Sequence, residues 1–140
     1  MAQDTPYPTA ENIRGMFTSA GNWDYDAFWS HVSPDFEWSV MGSSIVSGTF
    51  RGIEEFKANS MDRITRAMKG PVRPRVVNIA GGGVQEWVAI ESEFEGEFKN
   101  GRPYNQCYAW FLRFDRQGKV VQVKAYLDTA LIDRGLAENE

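Results

Sequence analysis

Carboxylates and aromatic side chains alternate through the C-terminal half of this sequence. Glu91, Glu93, Glu95 and Glu97 precede the dipeptide Asn100-Gly101, Tyr104, Gln106, Tyr108 and Trp110 follow it, and Tyr126 and Asp128 close the last apolar run. Asn-Gly between two strand-like runs predicts a two-residue hairpin turn. Counting outward from such a turn pairs Lys99 with Arg102, Glu97 with Tyr104, Glu95 with Gln106, Glu93 with Tyr108 and Glu91 with Trp110. Strand side chains alternate between faces, so these residues share one face, and Val88, Ile90, Phe94, Cys107, Ala109 and Phe111 share the other. A loop spanning residues 115–119 in the next hairpin sets Gln106 opposite Asp128, Tyr108 opposite Tyr126 and Trp110 opposite Lys124, with Val121, Val123, Ala125 and Leu127 joining the aliphatic face. A loop shorter by one residue would turn Asp128 toward the aliphatic side and bury a carboxylate without a partner, which is costly.

A carboxylate held among aromatic rings has a raised pKa and suits general acid or base work. Asp128 and Glu93 could divide those two roles. Tyr108, Tyr126 and Gln106 could hydrogen-bond a substrate carbonyl or the enolate it becomes. Each residue also has a plainer reading. Asp128 is a favoured N-cap for a helix starting at Thr129, and Glu91 and Glu93 suit a solvated acidic strand, since they alternate with Phe94.

These residues need elements to hold them. Residues 1–9, with Pro6 and Pro8, read as a flexible arm ahead of one domain over 10–140. Glu11 to Ala20 reads as a helix stopped by Gly21. Asn22 or Asp24 caps a second helix carrying Tyr25, Phe28, Trp29 and Val32, ended by Pro34. Strands follow at Phe36–Met41 and Gly48–Phe50. Gly52 to Met68 forms a long helix with Ile53, Phe56, Met61, Ile64 and Met68 along one stripe. Arg73–Ala80, Val84–Phe98, Arg102–Phe114 and Val120–Asp128 form an antiparallel meander, and Thr129–Leu136 a short final helix. Helices first and a meander afterwards predict an α+β fold. Either the helices cover the aliphatic face and leave the charged face in water, or they wrap the mixed face into a pocket and the aliphatic face is buried in a homodimer.

Composition narrows the function classes. The chain has 140 residues, 42% hydrophobic and 14% aromatic, with a net charge of −4. An acidic chain has no electrostatic reason to seek nucleic acid or an anionic membrane. Arg63, Arg66, Lys69, Arg73 and Arg75 are the one local basic excess and read as a solvated helix end. Cys107, the single cysteine, reads as an inert core thiol. No basic segment followed by an apolar run opens the chain, so a cytoplasmic location is expected. One histidine, His31, one cysteine and scattered carboxylates do not give metal-site spacing. Gly81-Gly82-Gly83 lies between strands and is not a phosphate loop, so no metal or cofactor is expected.

The stretch Asp35-Phe-Glu-Trp-Ser-Val-Met-Gly with Ser47-Gly-Thr-Phe-Arg-Gly resembles the first hairpin of SnoaL-like (NTF2-like) proteins. Asn100-Gly-Arg-Pro-Tyr-Asn-Gln-Cys-Tyr-Ala-Trp and Val123-Lys-Ala-Tyr-Leu-Asp-Thr-Ala-Leu resemble the same family, over roughly residues 10 to 135. The resemblance implies a cone-shaped fold whose curved, mostly antiparallel sheet wraps N-terminal helices and one long helix. The family includes polyketide cyclases, ketosteroid isomerases, limonene epoxide hydrolases and fungal natural-product isomerases. Asp128 resembles the last-strand carboxylate of the epoxide hydrolases, and Glu93 falls where they place a second acid. Glu91 stands in place of their arginine, and Trp38 and Val40 in place of their water-binding tyrosine and asparagine. The resemblance therefore implies a pocket of Trp38, Val40, Gln106, Tyr108, Trp110 and Tyr126 near Asp128, without the hydrolase apparatus. The expected function is a cofactor-free isomerase or cyclase acting by proton transfer on a hydrophobic carbonyl compound of polyketide or terpenoid type. The alternatives are a non-catalytic small-molecule-binding domain and a dimeric structural protein.

Overall fold

Capping residues place the helices in the computed structural model, which describes residues 5–19 and 22–140. Thr9 forms a reciprocal capping box with Asn12 at the start of α1 (Ala10–Phe17), which buries Ile13 and Phe17. Thr18–Ser19 (β1) and Asn22–Trp23 (β2) form a small antiparallel ladder. The helix expected to run to Ala20 therefore ends at Phe17 instead, with Thr18 already extended, and Ala20, Gly21 and the start of the N-terminal arm lie outside the described residues. Tyr7 and Pro8 exchange backbone hydrogen bonds with Gly83. The Asp24 side chain caps α2 (Tyr25–Ser30) by accepting from the Ala27 N–H. Val32, expected in this helix, opens strand β3 (Val32–Val40) instead, and Pro34 lies within that strand. Proline has no N–H to give to a ladder, and the β3 pairing with its parallel neighbour skips from Val32 to Glu37 around it.

β4 (Gly48–Arg51) pairs with β3 and leads into a helical run of α3 (Gly52–Phe56), a π-helical turn (Lys57–Met61) and α4 (Asp62–Arg66). Phe56, Ser60, Ile64 and Met68 are spaced four apart. In an unbroken α-helix each such step overshoots a full turn by about 40°, so three steps would carry the stripe off its face. The wider π turn takes up the excess, and the four residues stay on the inner side. β5 (Arg73–Gly81), β6 (Trp87–Glu97), β7 (Pro103–Phe114) and β8 (Val120–Leu127) complete a curved six-stranded sheet in the order β4-β3-β8-β7-β6-β5. Only the β3–β8 pair is parallel. α5 (Thr129–Asn139) follows, three residues longer than expected. The architecture is the expected α+β one, with the helical run covering one sheet face.

The register differs from the sequence count by one residue, with consequences for every face. Phe98 pairs with Arg102 around a three-residue loop with Gly101 at φ 90°, so Glu97 faces Pro103, Glu93 faces Cys107 and Ile90 faces Trp110. A type I turn closed by a left-handed glycine suits Asn-Gly as well as the two-residue turn does. The β7–β8 hairpin keeps the expected pairing of Phe114 with Val120, but a bulge at Val121 then shifts Arg113 opposite Gln122, Trp110 opposite Ala125 and Tyr108 opposite Leu127. A one-residue slip reverses which face a strand buries. Val88, Ile90, Phe94, Leu112 and Val123 therefore line the core, whereas Cys107 and Phe111 are exposed on the outer face with Glu91 and Glu93. The expected all-aliphatic dimer face is corrected accordingly: Ile90 and Val123 are 1% and 0% exposed in the single chain.

Candidate functional site

A cavity of about 490 Å³ opens between the inner sheet face and the helices. Its walls are aromatic. Trp38 stacks on Phe56 at 4.3 Å, Phe94 lies 4.6 Å from Tyr108, and Trp110 stands edge-on to Trp38 at 5.3 Å, all measured between ring centroids. Met61 and Ile64 from the helical run, with Met68 just beyond it, supply the facing wall. The exposed residues Asp26, Thr65, Gly70 and Pro71 also border it and mark its mouth.

Three tyrosines bring polar atoms into this apolar space. The Tyr104 and Tyr108 hydroxyls are 2.9 Å apart, and period-2 alternation on β7 sends both to the inner face. Tyr25, from the first turn of α2, stands edge-on to Phe94 at 6.4 Å. Burial pushes the Tyr25 phenol far above its ordinary value, and the nearness of Tyr108 adds to the rise. Tyr104 is raised by burial and then by Tyr108. Burial pushes Tyr108 up to about 12, against the opposing hydrogen bond with Tyr104. All three are neutral O–H donors at any ordinary pH. The Trp110 indole N–H, the Trp23 N–H and the Ser92 hydroxyl are buried and have no partner among the described residues.

Of the residues singled out in the sequence, Trp38, Val40, Tyr108 and Trp110 line the cavity. The others lie elsewhere. Asp128 is exposed beyond the end of β8, where its carboxylate accepts from the Leu131 N–H and caps α5. Glu93 is on the outer face, paired with Arg75, and Glu91 is exposed beside it, because the slipped register turns every odd position of β6 outward. Tyr126, 43% exposed, stands edge-on to Phe111 on that same outer face. Gln106 is 1% exposed, but its amide serves the backbone: Nε2 donates to the Asp128 carbonyl at 3.0 Å, and Oε1 accepts from the Asp128 and Cys107 N–H groups at 2.8 and 3.1 Å. It extends the ladder past the end of β8. His31 packs edge-on to Phe17 at 5.6 Å, its pKa lowered by burial and then by Lys119.

The sequence reading missed Tyr25, Tyr104, Phe94, Ser60, Lys57 and Asp26, which all border the cavity. A usable signal existed for Tyr104, which has the parity of Tyr108 and Trp110 on one strand. Lys57 and Ser60 carried no comparable signal, because an α-helical count does not foresee the π turn. Among the described residues, no cluster of three His, Cys, Asp or Glu side chains could hold a metal ion, and no helix is long and apolar enough to cross a membrane.

The profile of the SnoaL-like domain family matches residues 13–123. Two curated relatives are the dimerizing cyclases phiC of Fungal sp. and tstC of Talaromyces stipitatus. They are 28% and 27% identical over 98% and 91% of this chain, and 61% and 57% of their own. The chain thus spans about three fifths of the length of the curated relatives it matches. A solved Xanthomonas campestris protein of unknown function, described as having a cystatin-like fold, is 29% identical, with 81% of this chain and 85% of that one covered at a TM-score of 0.65. Solved NTF2-like proteins at 20% and 23% identity superpose with TM-scores of 0.65 and 0.66, a likeness of fold.

Proposed function

The chain belongs to the SnoaL-like domain family, and from that premise we propose that its cavity binds an apolar carbonyl compound and carries out a cyclase- or isomerase-type reaction on it. The observation that carries this reading is the trio of neutral tyrosine hydroxyls, Tyr104 buried and Tyr25 and Tyr108 half-buried, in an aromatic cavity of about 490 Å³. Small-molecule sites combine such apolar walls with a few converging polar groups.

The chemistry follows from what these groups can do. A proton leaves the carbon beside a carbonyl, the C–H electrons form a carbon–carbon double bond, and negative charge collects on the oxygen. A tyrosine O–H aimed at that oxygen stabilises the enolate, and removing one such donor costs about 10²–10³-fold in turnover. Asp26 at the mouth is the carboxylate available to accept the proton, in place of Asp128 and Glu93. The enolate then regains a proton at another carbon, which is isomerisation, or forms a carbon–carbon bond, which is cyclisation. The names of the two curated relatives favour the second outcome. A second reading, a non-catalytic binding domain, draws support from Asp26 being exposed and from both expected acids lying outside the cavity. We also infer that two copies of the chain pair across the outer sheet face, where Phe111 and Tyr126 stay 40% and 43% exposed.

The fused-ring ketone tetralone separates the two functional readings. It should quench the fluorescence of the cavity tryptophans, and the protein should speed exchange of its α-protons in deuterated water, followed by proton NMR. Asp26→Asn should slow that exchange by about 10²-fold while leaving binding intact. Binding with exchange no faster than in buffer would leave a binding domain. No quenching at millimolar tetralone would refute the cavity's role.

A further inference from the structure

The mouth of the cavity carries a cation with no partner. Lys57 is half-buried at the start of the π turn and borders the cavity, and no carboxylate among the described residues comes within 4.0 Å of it. Ser60, on the same turn, is 2% exposed and also borders the cavity, and its hydroxyl makes no hydrogen bond among the described residues. Both lie on the one π turn and both border the cavity. We propose that Lys57 and Ser60 together bind a singly charged anionic group, of carboxylate type, on a ligand whose apolar body fills the aromatic cavity. The inference rests on the cavity being the ligand site and adds the ligand's class: an amphipathic acid that also bears the carbonyl held by the tyrosines.

The physical case has three parts. A half-buried lysine lays its methylene stem along apolar wall and keeps its ammonium at the opening, where an anion can reach it from the cavity side. The Ser60 hydroxyl borders the cavity and is not among the buried polar atoms cut off from solvent, so a ligand oxygen can take the place of water there. Asp26, which also borders the cavity, limits the charge: one anionic group near Lys57 is balanced, whereas a dianion such as a phosphate would bring a second negative charge into a site with one lining carboxylate and only one cation to offset it. A single ammonium beside one hydroxyl also lacks the forked donors that favour phosphate.

Two probes with the same ring system test this, naphthoate and acetylnaphthalene, both read through quenching of Trp29, Trp38 and Trp110, which line the cavity. Lys57→Gln should weaken naphthoate binding about tenfold, the scale of a hydrogen bond to a charged group, and change acetylnaphthalene binding less than about twofold. Lys57→Arg should keep the preference for the acid, and Ser60→Ala should weaken naphthoate by a smaller factor. If Lys57→Gln leaves the ratio of the two affinities unchanged, the anion site is refuted while the cavity remains a ligand site. If the wild-type protein binds neither probe at millimolar concentration, the cavity reading itself fails, and this inference with it.

Discussion

Raising the pH should destabilise this protein through its own cavity. The perturbation is titration from about pH 9 to pH 12. In the unfolded chain a phenol ionises at its ordinary value of 10.0, but in the folded chain Tyr108 is held at about 12, and Tyr25 and Tyr104 are also raised by burial. Above pH 10 the unfolded state has therefore released protons that the folded state still holds. Stability falls wherever the unfolded state binds fewer protons, so the contribution is intact below pH 10 and is lost as pH climbs toward the folded values. Each withheld proton costs about 1.4 kcal/mol per pH unit, which gives about 2.7 kcal/mol for Tyr108 across its window. Tyr25 and Tyr104, raised in the same direction, steepen the loss. Urea unfolding at a series of pH values measures the slope. Phenolate absorbance at about pH 11 gives an independent count. Of the five tyrosines, three should stay dark in the folded protein and appear together on unfolding. If all five ionise near pH 10 with the far-ultraviolet circular dichroism unchanged, the hydroxyls are solvated and the argument for neutral donors falls.

Gln106→Leu should cost about 1–3 kcal/mol in urea unfolding, because it removes the amide that pairs the part-buried N–H and C=O of Asp128; a cost below about 1 kcal/mol would show that water replaces the amide. Asp128→Ala should cost about 1 kcal/mol, the usual loss of an N-cap, and leave tetralone binding and exchange unchanged. A large loss of exchange in a folded Asp128→Ala protein would return that residue to the chemistry. Phe111→Lys should convert a micromolar dimer to monomer by light scattering, and a monomeric wild type would refute pairing across the outer face. A methyl at Gly135 would sit 1.9 Å from the Phe98 ring, so Gly135→Ala should cost about 1–3 kcal/mol in thermal unfolding. Phe98 stands edge-on to Tyr104 at 5.4 Å, so the same change should also weaken probe binding.

Helices and turns were legible in the sequence because their signals are local. Asp24 caps the second helix as read, and Gly101 and Gly118 adopt the left-handed φ their turns require, whereas Thr9, read as part of the arm, is the cap of the first helix. Face assignment was not local. Asn100-Gly101 suits loops of two or three residues, and that single residue decides whether Glu93 or Phe94 points inward. Parity was the stronger clue. Val88, Ile90 and Phe94 on one strand with Phe98 just past its end, and Tyr104, Tyr108, Trp110, Leu112 and Phe114 on the next, are all even-numbered. A three-residue loop puts them on one face, whereas a two-residue loop sets apolar side chains against glutamates. On β8 the core positions Val123 and Ala125 are odd, so the bulge at Val121 is what reconciles the turn with the core. No local propensity encodes that bulge. The cavity composition was legible only in part, since Trp38, Val40, Tyr108 and Trp110 were foreseen but the tyrosine that completes the hydroxyl pair was not.

The charge distribution of the fold gives a reason for chemistry based on hydroxyls. A carboxylate set among Trp38, Phe94 and Trp110 would lose its hydration with no buried cation to replace it, and would be driven to its neutral form. The sheet avoids this by turning Glu91, Glu93, Glu95 and Glu97 outward and ending β8 one residue before Asp128. Tyrosine suffers no such penalty: burial strengthens its hold on the proton and so keeps it a donor. An interior of this kind stabilises charge that develops on a bound molecule, while the groups that are themselves charged, Asp26 and Lys57, stay at the mouth where water reaches them. On the enolate chemistry proposed above, the ligand would have to span both zones, its reacting oxygen at the tyrosines and its acidic proton within reach of Asp26.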